Sequence, residues 1–221
     1  MKTTLLVPTL NEIDSMKIIL PRVKKSWVDE IIVVDGGSDD RTVEYAEKSG
    51  YKVVSPQVRG LVPQLNEAFK VAEGDIIVLF SPDGNSIPEL IPSLIEKINE
   101  GYDMVIASRY AKGAKSYDDD FLTGIGNFVF TRIVNILFRA KYTDVLVIFR
   151  AFRKDILQHI KLDLNEDIDL QLCIKCAKKK LKVAEIPGDE PKRVGGVRKM
   201  KVMRTGCELV RTIYKEYFSK N

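Results

Sequence analysis

The sequence of 221 residues predicts an α/β protein with a mostly parallel β-sheet flanked by helices. Short apolar runs, such as residues 30–35 (EIIVVD) and 76–80 (IIVLF), end in clusters of turn residues, which is typical of strands buried on both faces of a parallel sheet. Segments with helical apolar spacing alternate with these runs, and this alternation favours right-handed crossovers within one sheet. A hydrophobic fraction of 45% is sufficient for a full core.

The first half of the chain supplies five predicted strands and the helices between them. The strands are residues 3–7, 30–35, 52–54, 76–80 and 103–107. The first helix breaks or kinks at Pro21, and the second, which extends to Gly50, has Ser38 or Asp39 placed to cap it. The next two helices are residues 63–72 and 88–99. Sheets of this kind bind ligands at the carboxyl ends of their strands, so we expect the following loops to form the site.

The second half of the chain has a different pattern. A polar segment, residues 111–120, precedes a predicted helix over residues 121–138 whose apolar positions cover most of its circumference. An extended segment (143–153), a helix (167–180) and a last strand (182–186) follow. A Gly- and Arg-rich loop (188–200) then leads into a basic amphipathic helix over residues 201–218. We expect residues 1–200 to form the main domain and residues 201–221 to pack on it as part of the same domain.

Composition excludes several classes of site. A single histidine, His159, excludes a histidine-centred triad and a multi-histidine metal site. Three cysteines cannot form a closed disulfide framework, which favours a reducing compartment. A net charge of +4 is too small to indicate nucleic acid, so none is expected as a partner. The chain opens directly into a strand without a signal-peptide pattern, and no uninterrupted apolar run reaches the ~20 residues of a membrane span.

Polar side chains follow four of the predicted strands at the point where each strand ends. Glu12, Asp35, Asp83 and Arg109 follow the first, second, fourth and fifth strands. Because these ends meet at one edge of the sheet, we expect the four side chains to converge there. Carboxylates at successive strand ends can accept hydrogen bonds from a ribose or a base, so the pattern favours a nucleotide site.

The turn after the fourth strand carries candidate metal ligands. Asp83 and Asn85 stand two residues apart on a turn that Pro82 stiffens and Gly84 frees. Their oxygen atoms suit Mg²⁺ or Mn²⁺ carrying a phosphate group. The alternative is a solvated turn whose aspartate caps the following helix.

Four motifs in the first half resemble those of family-2 glycosyltransferases with the GT-A (Rossmann-like) fold. They are VPTLNE (7–12), VVDGGSDDRT (33–42), PDGN (82–85) and ASRY (107–110). TDVLVIFRAFRKDIL (143–157) and PKRVGGVRKM (191–200) are similar to the dolichyl-phosphate mannosyltransferase branch, whose members transfer sugars to polyprenyl phosphates. The resemblance covers nearly the whole chain.

The resemblance implies roles for particular residues. Asp83 would hold the metal with help from Asn85, although Ser81 replaces the first acid of the family's metal motif and weakens that expectation. The residues implied to contact the nucleotide-sugar are Pro8, Thr9, Asn11, Glu12, Asp35, Ser38, Asp39, Arg59, Gly60, Ser81 and Pro82. The cations implied to act on phosphates are Arg109, Arg193, Arg198 and Lys199.

The sequence is compatible with three functional hypotheses. The first is a metal-dependent, inverting transferase that moves a sugar from GDP-mannose or a UDP-sugar to a polyprenyl or dolichyl phosphate. The second is a transferase acting on a hydroxyl of a saccharide or glycolipid, for which Glu166 and Asp167 resemble the acid pair that supplies the base. Those acids also fit the first turn of a helix that Asn165 caps. The third, suggested by Ser81, is a non-catalytic sugar-nucleotide binder.

The predicted helices at 121–138 and 201–218 favour work at a membrane surface. Together they present more apolar surface than one core contact requires, and the second is basic. We expect a peripheral protein on the cytoplasmic face of a membrane. The alternatives for these helices are packing on the sheet, a homodimer interface or contact with a partner membrane protein.

Overall fold

A seven-stranded β-sheet forms the centre of the computed structural model, which describes residues 1–58, 60–195 and 202–219. The strands are β1 (Thr3–Thr9), β2 (Glu30–Asp35), β3 (Lys52–Val54), β4 (Ile76–Leu79), β5 (Met104–Ser108), β6 (Arg150–Arg153) and β7 (Val183–Pro187). Their order is β3-β2-β1-β4-β6-β5-β7, and β6 alone among them runs antiparallel to its neighbours. The predicted α/β fold with a mostly parallel sheet is confirmed.

Helices cover both faces of this sheet. They are α1 (Ile13–Ile19), α2 (Thr42–Lys48), α3 (Leu61–Val71), α4 (Ile91–Asn99), α5 (Phe121–Phe138), α6 (Ile156–His159), α7 (Ile168–Lys178) and α8 (Val202–Phe218), with single 3₁₀ turns at Leu20–Arg22 and Pro88–Leu90. Residues along β1 alternate between the two layers, with Leu5 and Val7 in the core beneath α1 and α4, and Leu6 in the core beneath α3 and α7. Both faces of the strand are therefore buried.

Strand β6 is the main departure from the expected arrangement. The segment predicted to be extended over residues 143–153 forms a strand only at Arg150–Arg153, which inserts between β4 and β5. Ala151 and Phe152 are fully buried there, and Ala151 pairs with Val78 on one side and Val105 on the other. The insertion brings the residues that precede β6 to the carboxyl ends of the parallel strands.

The last helix packs on the sheet domain. Leu209 and Ile213 of α8 are buried in the core that α7 also lines, and α8 contacts both α5 and α7. The rings of Phe138 on α5 and Tyr217 on α8 meet edge to face, with centroids 6.4 Å apart. The three helices thus form one layer on this face.

Candidate active site

The loops after β1 and β2 are joined by hydrogen bonds into one rigid edge. The amide of Asn11 donates to Oγ of Ser38 (2.8 Å), and the amide of Asp39 donates to Oδ1 of Asn11 (2.9 Å). The buried carboxylate of Asp35 accepts from the amides of Gly37 (2.8 Å) and Ser38 (3.0 Å). These residues therefore lie together beside the ends of the two strands.

These bonds correct the expected capping of α2. Ser38 and Asp39 are held by the loop after β1, so neither caps the helix. The N-cap position is Arg41, whose φ is 71°, and Oδ1 of Asp40 accepts from the amide of Thr42 at 2.9 Å. The aspartate closest to the helix satisfies its free amide instead.

In the turn after β4, one carboxylate oxygen of Asp83 bonds to the backbone of the turn and the other does not. Oδ1 of Asp83 accepts from the amide of Asn85 at 2.9 Å, while Oδ2 lies 2.8 Å from Nη2 of Arg193. The side-chain amide of Asn85 donates to the carbonyl of Pro191 at 2.8 Å. Asp83 is only 7% exposed, so its charge requires a partner. It does not cap the next helix, which begins with Pro88 at a 3₁₀ turn.

A cavity of about 410 Å³ lies at this edge of the sheet. Its charged lining residues in the described part of the chain are Glu12, Asp83, Asp118, Asp119, Asp169, Asp189, Glu190, Arg109 and Arg193, which gives seven acids against two arginines. A cavity of this charge repels a diphosphate unless a cation accompanies it. A larger cavity, about 960 Å³, lies at the opposite edge, between the residues before β4 and those after β6, away from the convergent polar loops.

The oxygen donors of the β4 turn fit a divalent cation shared with a substrate. No group of three or more acidic, histidine or cysteine side chains is positioned for a metal among residues 1–58, 60–195 and 202–219. Mg²⁺ is commonly held by one or two carboxylates and completed by substrate phosphates. Asp83, with Asn85 and the cavity-lining Ser81 beside it, supplies that kind of incomplete set.

Arg109 joins three loops around the cavity. Its Nε and Nη2 donate to the two carboxylate oxygens of the fully buried Asp144, at 2.7 and 3.0 Å. Its Nη1 lies 3.1 Å from Asp119 and 3.3 Å from Glu190. Burial opposes the charge on Arg109, but these carboxylates, with Asp144 foremost, raise its pKa and keep it ionised. The guanidinium therefore organises the rim of the cavity.

Of three acids at the start of α7, Glu166 and Asp167 have structural roles and Asp169 lines the cavity. Glu166 faces α8, where it accepts from Oγ1 of Thr212 (2.6 Å) and Nζ of Lys215 (2.5 Å). Asp167, rather than Asn165, caps α7 by accepting from the amide of Leu170 at 2.9 Å. Neither Glu166 nor Asp167 lines the cavity, whereas Asp169 does.

Asp169 is held against the fully buried Arg150. Nη2 of Arg150 lies 3.2 Å from Oδ1 of Asp169, and its Nη1 donates to the backbone carbonyl of the same residue at 2.9 Å. Burial raises the pKa of Asp169 to about 7, with Arg150 opposing the shift and the carboxylates of Asp167 and Asp144 adding to it. Asp169 thus presents to the cavity a carboxyl group that titrates near neutral pH.

Comparison with known proteins identifies the family. Residues 4–161 match the model of glycosyl transferase family 2. The chain belongs to this family. Its fold is similar to that of glucosyl-3-phosphoglycerate synthase from Mycobacterium tuberculosis in complex with Mn²⁺, uridine diphosphate and phosphoglyceric acid, with a TM-score of 0.75 at 20% identity over 100% of this chain and 80% of that one. The fold is the GT-A fold, and the protein is a glycosyltransferase.

Three curated relatives of this family-2 glycosyltransferase are named as transferases of polyprenyl-type phosphates. The dolichyl-phosphate hexose transferase of Haloferax volcanii is 31% identical over 75% of this chain and 72% of its own length. The dolichol-phosphate mannosyltransferase of Pyrococcus furiosus is 33% identical over 97% of this chain, which spans only 63% of that relative. The undecaprenyl-phosphate mannosyltransferase of Micrococcus luteus is 27% identical over 90% of this chain and 88% of its own.

The structure brings most of the predicted site residues of this glycosyltransferase to one edge. Glu12, Ser81, Asp83, Asn85, Arg109 and Arg193 line the cavity. Pro8, Thr9, Asn11, Asp35, Ser38, Asp39 and Pro82 lie in the strand ends and turns beside it, and Gly60 precedes the cavity-lining Leu61 at the start of α3. Arg59, Arg198 and Lys199 lie outside the described residues.

Sequence reasoning missed several charged residues of the site. Asp119, Asp144 and Glu190, the partners of Arg109, are not among the predicted site residues, although Asp119 lies in the acidic run 118–120. Asp169 stands two residues beyond the predicted acid pair, Glu166 and Asp167. No local pattern indicated Asp169, because its position depends on Arg150, which lies 19 residues away in sequence.

Proposed function

We propose that this glycosyltransferase moves a sugar from a nucleoside diphosphate sugar to a polyprenyl phosphate, with a divalent metal and inversion at the transferred carbon. One observation carries the proposal: an acidic cavity with a metal-suited turn adjoins a helix, α5, that exposes its apolar side chains. A donor headgroup and the end of a lipid acceptor can therefore meet at one place. The names of the curated relatives support the same acceptor.

The donor half of the site follows from the charges of the β4 turn. Asp83 and Asn85 would hold Mg²⁺ or Mn²⁺, which supplies Lewis-acid stabilisation to the departing diphosphate. Arg193, whose guanidinium lies 2.8 Å from Asp83, would contact the same phosphates. Asp35 and the loop it closes after β2 would position the nucleoside. Fixed charges and dipoles of this kind stabilise a leaving group without reorganisation during the reaction.

On the side of the site that binds the sugar acceptor, no general base is needed if the nucleophile is a phosphate. A phosphate oxygen is already anionic, so Glu166 and Asp167 can serve the structural roles in which they are found. A hydroxyl acceptor is the second candidate, and Asp169 favours it, because a cavity carboxyl group with a pKa of about 7 suits a general base. The phosphate acceptor is preferred because of the apolar surface beside the cavity.

Helix α5 leaves most of its large apolar side chains exposed, although Phe130, Ile133, Val134 and Phe138 pack against the core. Its buried side chains are Asn127, Thr131 and Val134. Its large exposed side chains are Phe121, Leu122, Ile125, Phe128, Val129, Ile136 and Leu137, and α8 adds Val210, Tyr214, Tyr217 and Phe218. We call these exposed side chains of α5 and α8 the apolar face. Helices of globular proteins normally direct such residues inward, and large apolar patches mark sites of interaction.

The ends of α5 favour a helix that lies on a membrane rather than across it. Among the described residues, α5 alone has the length and composition of a membrane span. Its first turn follows the cavity-lining Asp119, and its last turn is fixed where the side-chain amide of Asn135 donates to the carbonyl of Tyr142 at 2.8 Å. Exposed arginines of α8, such as Arg204 and Arg211, add cations for anionic headgroups. We therefore propose peripheral attachment to a membrane, on its cytoplasmic face because three cysteines that form no disulfide favour a reducing compartment.

Vesicle binding tests the membrane part of the proposal. The wild type should sediment with anionic liposomes, and less strongly as the salt concentration rises. The double variant Phe128→Ser, Ile136→Ser should lose this binding, because both side chains are more than half exposed on the apolar face. Ile18→Ser is the control, since Ile18 is 54% exposed on α1 at the other face of the sheet. Equal sedimentation of both variants would contradict the assignment.

Donor turnover tests the catalytic part. A panel of nucleoside diphosphate sugars is incubated with a short-chain polyprenyl phosphate in detergent, with Mg²⁺ or Mn²⁺, and products are identified by mass. We expect one donor to yield free nucleoside diphosphate and a glycosylated lipid phosphate. Asp83→Asn should lower this turnover by ~10²-fold or more, because the leaving diphosphate loses its charge stabilisation. A fully active Asp83→Asn variant, or no transfer from any donor, would contradict the proposal.

A further inference from the structure

The guanidinium of Arg193 contacts a carboxylate oxygen of Asp83, the residue expected to bind the metal ion. Its Nη2 lies 2.8 Å from Oδ2 of Asp83, and its Nη1 lies 3.7 Å from Oε1 of Glu12. The other oxygen of Asp83 is occupied by the amide of Asn85. The guanidinium therefore occupies the one oxygen of Asp83 that its own turn leaves accessible.

The loop that carries Arg193 is fastened to the metal-suited turn by its backbone. The amide of Val194 donates to the carbonyl of Asp83 at 2.9 Å, and Asn85 donates to Pro191. A Cβ at Gly84 would lie 2.8 Å from Cγ2 of Val194, so only glycine permits this close approach. Movement of Arg193 and rearrangement of the turn are thus mechanically linked.

A divalent ion and a guanidinium that contact the same carboxylate oxygen repel each other. A divalent ion on Oδ2 of Asp83 would lie against the guanidinium, and repulsion in a partly buried site is strong. A diphosphate changes this balance, because its oxygens can accept from a displaced guanidinium while completing the metal's coordination.

We propose that Arg193 competes with the divalent cation for Asp83 when no nucleotide is bound, and reinforces cation binding when a nucleoside diphosphate is present. Arg193 then makes the cation and the diphosphate bind together. The inference rests on the proposed function only in that the cation and the donor share the cavity.

The test is the affinity for Mn²⁺ alone and with GDP or UDP, measured for wild type and Arg193→Gln by electron paramagnetic resonance. Without nucleotide, the variant should bind Mn²⁺ about tenfold more tightly, which corresponds to about 1.4 kcal/mol. With nucleotide, the order should invert, because the wild type gains a contact to the diphosphate that glutamine cannot provide. A merely structural role for Arg193 would not reverse the sign of the effect.

Two further variants serve as controls for the Mn²⁺ affinities. Arg153→Gln removes the same charge at the opposite edge of the sheet, where Arg153 pairs with Asp155, and should leave both affinities unchanged. Asp83→Asn should abolish Mn²⁺ binding at this site under both conditions. A circular dichroism spectrum equal to that of the wild type shows that each variant is folded.

Several outcomes would overturn the competition. One is an Arg193→Gln variant that, without nucleotide, binds Mn²⁺ no more tightly than the wild type does. The same holds if, without nucleotide, this variant shows no Mn²⁺ binding at concentrations that saturate the nucleotide-bound wild type. Another is an Arg193→Gln variant whose affinity for Mn²⁺ rises on addition of nucleotide by the same factor as that of the wild type. No acceptor is present in these experiments, so a different acceptor would refute the proposed function and leave the competition intact. Normal transfer with an unaltered Mn²⁺ profile would refute only the competition.

Discussion

Replacing Asp144 by Asn should destabilise the fold through Arg109. Asp144 is fully buried and receives two guanidinium bonds, at 2.7 and 3.0 Å. Removing one partner of a buried ion pair costs about 3–5 kcal/mol. Arg109 retains Asp119 and Glu190, and the asparagine carbonyl can still accept one bond, so we expect a loss of about 2–3 kcal/mol. For a domain of this size, the melting temperature should fall by about 4–12 °C.

Thermal unfolding followed by circular dichroism at pH 7 measures this loss. The matched control is Asp155→Asn, which makes the same chemical change in a surface pair with Arg153. Asp155 is 47% exposed, and pairs of that kind contribute about 0–1 kcal/mol. If Asp144→Asn melts within about 2 °C of wild type, or no lower than the control, Arg109 does not organise the cavity rim as argued.

Two other substitutions separate structural from chemical roles of the acids around α7. Glu166→Gln should cost about 1.5 kcal/mol, because the fully buried hydroxyl of Thr212 loses its charged acceptor. Burial opposes ionisation of Glu166, but bonds from Lys215 and Thr212 lower its pKa, so its contribution is present above about pH 4.3 and is lost as the pH falls. The melting temperatures of wild type and Glu166→Gln should therefore converge as the pH is lowered through the acidic range, and a difference that does not change with pH would contradict this. Asp169→Asn should leave transfer to polyprenyl phosphate near the wild-type rate, whereas a hydroxyl acceptor predicts a loss of ~10²-fold or more and a rate that rises through about pH 7.

Local sequence pattern was sufficient for the individual elements of the fold. The predicted helix at 121–138 and the strands at 30–35 and 52–54 have the observed bounds, because apolar periodicity and turn residues are local signals. The convergence of Glu12, Asp83 and Arg109 also followed from sequence, since the carboxyl ends of parallel strands meet at one edge.

Contacts between distant segments could not be predicted in the same way. The antiparallel insertion of β6 depends on its fit between β4 and β5, which apolar spacing within residues 143–153 does not encode. Arg109 meets Asp144 and Glu190 only after the loops fold together, 35 and 81 residues apart in sequence. The outward orientation of α5 is equally non-local, because it depends on which side of the helix meets α7 and α8.

A pair of matched lipids tests most directly whether the acceptor is a polyprenyl phosphate. The protein is given its preferred nucleoside diphosphate sugar, Mn²⁺ and either a polyprenyl phosphate or the polyprenol of the same chain length. The phosphate of the first lipid is an anionic nucleophile, so we expect glycosylated lipid phosphate from it and no glycosylated polyprenol. Preferential glycosylation of the polyprenol, or of a saccharide hydroxyl added in competition, would contradict the account and assign the base to Asp169.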